Sequence, residues 1–152
     1  MIMETLCEKG DEPDIQGYTI KTPQNKRNEN WGGILFAIRE EFENQVQIKS
    51  ENNEVAEILF MQIICGPETL TLGLVYAPQE NQTTVEEMDA MYKYIEEEIN
   101  RAKMENHILI LGGDFNCKIG EIIKGNKKEV TKGGRRLLRL SQNGFRKWLC
   151  IN

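Results

Sequence analysis

Histidine is nearly absent from this sequence: His107 is the single one among 152 residues. Cysteine is sparse and scattered, at positions 7, 65, 117 and 150, with no C-x-x-C pair. A zinc site therefore has nothing to be built from, and the four cysteines read as reduced thiols in an intracellular protein, nuclear or cytoplasmic. No apolar run approaches the roughly 20 residues that a bilayer span needs, so no membrane partner is expected. The opening Met1-Ile2-Met3-Glu4 has neither the basic n-region nor the apolar h-region of a secretory leader. Internal repeats and low-complexity linkers are missing as well. With 39% hydrophobic and 28% charged residues, what remains is neither a disordered polyelectrolyte nor a membrane chain. A single domain over 1–152 with a real core is the expectation.

Charge is distributed unevenly. From Lys118 to Asn152 there are ten basic and two acidic residues, a local +8, whereas residues 1–117 carry −13, giving the overall −5. A basic C-terminal third could neutralise phosphates. It could equally be a solvated face that offsets the acidic remainder.

Hydrophobic patterning supplies the elements. The residues up to Thr5 read as a strand end, and Ile15–Ile20 as a short strand. Ile34–Ile38 reads as a buried strand, and alternation at Val46 and Ile48 as a half-buried one. Two β-rich runs, 54–65 and 70–76, are joined by Gly66-Pro67-Glu68-Thr69, a hairpin signal. Thr84 with Glu87 fits a capping box ahead of a helix whose apolar positions recur every three or four residues to Ala102. Ile108–Leu111 is an apolar strand running into Gly112-Gly113-Asp114-Phe115-Asn116. A long polar loop from Cys117 to Val130 follows, then a helix over 132–143 with Leu137, Leu138 and Leu140 inward. Gly144 is its expected C-cap, and Trp148–Ile151 begins another strand. Strands with interspersed helices and a hairpin give an α+β class with antiparallel pairing.

Three strand ends carry polar groups. Asp114 and Asn116 leave an apolar strand together and, two apart in extended backbone, would point to one side, where they could hold a water and a phosphate oxygen. The alternative is an Asx-turn in which both bond local backbone. Glu4 ends an apolar stretch and could ligate a divalent cation through hard oxygens, or be a plain terminal charge. Tyr76 stands just before Ala77-Pro78, either as a hydroxyl at the same rim or as a half-buried strand aromatic. His107 opens the strand that Asp114 closes, which puts it about 13 Å or more away at strand rise.

Met3-Glu4-Thr5, Gly32-Gly33-Ile34, Val75-Tyr76-Ala77-Pro78 and Leu111-Gly112-Gly113-Asp114-Phe115-Asn116, in this order and spacing, resemble the endonuclease/exonuclease/phosphatase superfamily. Within it the likeness is to the apurinic-endonuclease-like nuclease domain of non-LTR (LINE-type) retrotransposons. Lys132-Gly133-Gly134-Arg135-Arg136-Leu137-Leu138, then Asn143-Gly144-Phe145, look like the helix and strand that follow its Gly-Asp-Phe-Asn motif. The resemblance implies a four-layer α/β/β/α sandwich, two mixed and largely antiparallel sheets with flanking helices. It also implies a magnesium-dependent phosphodiesterase site at the strand ends, with manganese as a substitute, that nicks target DNA to prime reverse transcription. By motif, Glu4 would be the metal ligand and Tyr76 a hydrogen-bond donor to phosphate. Asp114 would orient or deprotonate the attacking water, and Asn116 would hold the phosphate or that aspartate.

The family's pattern has an earlier strand with a metal-site asparagine and a helix, and later strands carrying an aspartate and an Asp-His pair. This sequence opens at the Glu-Thr strand and stops at Asn152, so the expectation is a central, partial sandwich with impaired hydrolysis. Leu6 also departs from the pattern, standing where many relatives have a polar or basic residue. The alternative is a non-catalytic remnant that binds nucleic acid, DNA in the first instance, through the basic 118–147 segment. A phosphatase of the same superfamily is a third reading.

Overall fold

The computed structural model describes residues 1–6, 12–23, 32–51, 55–117, 122–123, 126–127 and 132–142. Two principal sheets organise them. Strands β1 (Ile2–Met3), β2 (Tyr18–Lys21) and β3 (Ile34–Arg39) form a three-stranded antiparallel sheet in the order β1-β3-β2. Strands β4 (Val46–Glu51), β5 (Glu57–Cys65), β6 (Glu68–Tyr76) and β7 (Ile108–Asp114) form the second, in that order. Helix α1 (Val85–Met104) connects β6 to β7. Two-residue strands β8 (Ile122–Ile123) and β9 (Asn126–Lys127) pair with each other, and helix α2 (Lys132–Gln142) follows.

The α+β class holds, and the second sheet is mixed. β4, β5 and β6 pair antiparallel, while β6 and β7 run parallel. Parallel neighbours cannot be joined by a tight turn, and α1 supplies the long crossover between them. The 54–76 hairpin is tighter than its sequence suggests: Cys65 pairs with Glu68, so only Gly66 and Pro67 turn, with Gly66 at φ +62°. A residue without Cβ adopts that conformation at little cost, which lets the pairing extend past the expected four-residue loop. The β8–β9 pair lies where a continuous loop was expected. Trp31, the Gly144 cap, the 148–151 strand and half of the basic 118–147 segment lie outside the described residues.

Alternation along β5 fixes the layers. Ile58 and Phe60 face one side with Val75, Leu109 and Leu111, and α1 and α2 cover them. Leu59 and Met61 face the other side with Leu74, against Ile34, Phe36 and Ile38 of β3. The described residues thus form helices on sheet on sheet. Burial of each such side chain contributes about 1.5–3 kcal/mol, and the four-stranded sheet is buried on both faces. That explains why 58–61 is an unbroken apolar run.

The helix begins as its sequence predicts. Thr84 Oγ1 accepts from the Glu87 N–H at 3.1 Å, and Glu87 Oε2 accepts from the Thr84 N–H at 2.8 Å. Each satisfies a backbone donor that the first turn would leave without a partner. Glu98, on the buried face, is held by Arg101 Nη1 at 2.8 and 3.0 Å from its two oxygens. Arg136 of α2 forms an ion pair with Asp89 of α1, and Leu137 and Leu140 are buried beside it. The Leu138 side chain lies outside the described set. Among the described residues, no helix is long and apolar enough to cross a membrane.

Candidate functional site

The site lies at one edge of the interface between the two sheets. Tyr76 is the cross-strand partner of Glu57 on β5 and also of Asp114 on β7. Partners in register share a face, and the parity of Leu59 and Met61 assigns this row to the side of the three-stranded sheet. The row is therefore acid, hydroxyl, acid across three adjacent strands. From the facing sheet, Glu4 arrives: Tyr76 Oη donates to Glu4 Oε1 at 3.5 Å, a long bond between residues 72 positions apart.

The electrostatics follow from this crowding. Burial, and then the negative charges of Glu4 and Asp114, push the Tyr76 phenol above its ordinary value of 10.0, with Glu57 adding a smaller push in the same direction. Each neighbour disfavours a tyrosinate. Tyr76 is thus a neutral hydroxyl at any physiological pH, able to donate a hydrogen bond to an anion. Three carboxylates around it would repel that same anion.

The turn after β7 holds itself. Asp114 Oδ1 accepts from the Asn116 N–H at 2.8 Å, the Asx-turn alternative. Asn116 Nδ2 donates to the Ala77 carbonyl at 2.7 Å, and the Ala77 N–H donates to the Asp114 carbonyl at 2.8 Å. The expectation that Asp114 and Asn116 share a side through extended backbone is corrected. The strand ends at Asp114 and Asn116 takes φ +44°, a left-handed conformation that asparagine tolerates. Phe115, between them, is buried on the helix side and anchors the turn. Gly113 has φ +148°, and a Cβ there would fall onto the Val75 carbonyl, so β7 approaches β6 too closely for any side chain.

Glu4 also sits in unusual backbone, at φ +55°, with Leu6 at φ +54°. A non-glycine residue held there costs about 1–3 kcal/mol and persists only when its surroundings demand it. Here the Thr5 N–H donates to the Gly33 carbonyl and the Leu6 N–H to the Gly32 carbonyl, both at 3.1 Å. Thus Glu4, Tyr76 and Asp114 come together as the sequence predicts, and Asn116 joins them with its side-chain amide directed to Ala77. His107 stands at the opposite end of β7, where Nδ1 lies 3.1 Å from Thr71 Oγ1 and 3.3 Å from Gln62 Nε2.

Sequence reading missed Glu57. It is buried, with only 4% of its surface exposed, yet it carries a carboxylate. Its Oε2 accepts from the Gly33 N–H at 2.8 Å. The signal was present: Glu57 shares the inward phase of Leu59 and Met61, so an acid stands at a position the strand's period assigns to the interior.

No protein-family model matches this chain, and no curated protein matches it.

Proposed function

We propose that this chain is a divalent-cation-dependent phosphodiesterase acting on nucleic acid, in the manner of a DNA-nicking endonuclease. The observation that carries this reading is the gathering of Glu4, Tyr76 and Asp114, from three distant parts of the chain, at one end of the sheets. A neutral phenol ringed by carboxylates suits a phosphate only when a cation reverses the sign of the local field. The hard oxygens of this donor set match magnesium, with manganese as a substitute. Among the described residues, no three His, Cys, Asp or Glu side chains gather closely enough to hold a metal alone. Magnesium commonly takes one or two carboxylates and fills the remaining positions with water and substrate oxygens.

Glu4 would hold the cation, which when bound neutralises the charge that builds on the phosphate oxygens. Tyr76 donates its hydroxyl proton in a hydrogen bond to a phosphate oxygen. Asp114 orients the attacking water and takes its proton as the bond from phosphorus to one ester oxygen breaks, that leaving oxygen taking a proton from solvent, and the Asn116 N–H fixes which way the carboxylate faces. The Asn116 side chain keeps the end of β6 against the end of β7 through Ala77, so Tyr76 and Asp114 hold their spacing.

Supercoiled plasmid incubated with the chain and magnesium tests this reading: nicked circles are expected, and they should disappear with Asp114→Ala. Equal products from both proteins would overturn it. The local bond that Asp114 accepts from the Asn116 N–H favours a second reading, non-catalytic nucleic-acid binding through 118–147. Its signature is salt-sensitive DNA binding without turnover.

A further inference from the structure

We infer that Glu57 is a positioning residue for this site: its buried carboxylate clamps the Gly32–Gly33 corner of the facing sheet and so sets where Glu4 stands over Tyr76.

The chain of contacts is continuous. Glu57 is the register partner of Tyr76, so its place is fixed by the β5–β6 ladder. Its Oε2 accepts from the Gly33 N–H at 2.8 Å, a bond between the two sheets. The corner sits flush on it: a Cβ added to Gly32 would lie 2.7 Å from Glu57 Oε1 and 3.2 Å from Tyr76 Cε1. Gly32 and Gly33 take φ +81° and +90°, and this turns the corner's amide toward the carboxylate and its carbonyls toward the first strand. Those carbonyls accept from the N–H groups of Leu6 and Thr5. Glu4 precedes them directly, and its side chain reaches the Tyr76 hydroxyl.

A carboxylate is an expensive group to bury where an apolar side chain would fit. A charge-assisted bond to a backbone N–H offsets part of that cost and fixes direction as well as distance. The row's other acid, Asp114, bonds within its own turn. Glu57 bonds across to the backbone of the opposite sheet, which makes it the joint through which one half of the site is registered on the other.

The catalytic consequence rests on the phosphodiesterase reading, but the clamp is measurable without activity. Amide hydrogen exchange, read by NMR, should show Gly33, Thr5 and Leu6 losing protection together in Glu57→Ala, while the β5–β6 ladder stays protected. Glu57→Gln keeps an acceptor oxygen and should restore that protection. In plasmid nicking, Glu57→Ala should lower kcat about 10²-fold at unchanged KM, the penalty of a misplaced group, with Glu57→Gln recovering most of it. Unchanged exchange at all three amides in Glu57→Ala would overturn the inference. If Glu57→Ala does not fold, the unaltered chain decides: a Gly33 amide that exchanges like an exposed loop overturns it, and one protected like Ile58 supports it. Absence of nicking by the unaltered protein, with the exchange pattern as expected, would defeat the phosphodiesterase reading and leave the clamp standing.

Discussion

Tyr76 and Glu4 meet across the two sheets: the phenol of one donates to the carboxylate of the other at 3.5 Å. Nothing local brings them together. The contact joins the end of β6 to the residue just past the first strand, where Glu4 takes φ +55°, and it places a donor and an acid at one rim.

Asp114→Asn separates chemistry from architecture. Asparagine keeps an oxygen that can accept from the Asn116 N–H, so the turn should survive with an unchanged circular-dichroism spectrum. Removing the basic carboxylate should lower nicking by about 10²–10⁴-fold. A plasmid assay beside a thermal melt checks both halves.

Alkaline pH should loosen the fold through Tyr76. Its folded pKa is raised above the ordinary 10.0, so the contribution is fully present below that value and is lost as pH rises through the folded one. Urea midpoints measured upward from about pH 9 should fall more steeply in the unaltered chain than in Tyr76→Phe. Ultraviolet titration should show Tyr76 ionising above the ordinary range, and Glu4→Gln should bring it earlier by removing a negative neighbour.

Gly113→Ala should be severe. Its Cβ would meet backbone of β6, which cannot swing aside as a side chain can, and φ +148° is unfavourable for alanine. A loss of about 3 kcal/mol or more is expected from overpacking and strain together. In a chain of this size that is roughly 6–12 °C in Tm, readable by calorimetry.

Thr84→Ala should cost about 1 kcal/mol, because it removes the Thr84 half of the reciprocal cap and leaves the Glu87 N–H without that acceptor. Thr84→Ser, which retains the hydroxyl, should restore most of the urea midpoint.

The legibility of these features follows their range. The cap of α1 was readable because both partners lie within four residues, and the strands because an apolar run declares burial wherever it packs. Tyr76 beside Asp114 was readable only in part: each ends a strand, but their adjacency depends on parallel register, which composition does not encode. Glu57 was legible only through the phase it shares with Leu59 and Met61, because its partner amide is 24 positions away. The path of the chain at Asn116 was not readable, because a left-handed φ after the strand breaks the rule of alternation that extended backbone obeys.

The parallel pairing of β6 with β7 has a kinetic consequence. Tyr76 and Asp114 become neighbours only after the whole crossover from Ala77 to His107 has closed, an event dominated by non-local contacts and the loss of chain entropy. The ends of β6 and β7 are therefore expected to meet after the β5–β6 hairpin has formed. Proteolytic cleavage within the crossover should therefore loosen the β6–β7 pairing before the antiparallel half of the sheet, a difference that hydrogen exchange would read.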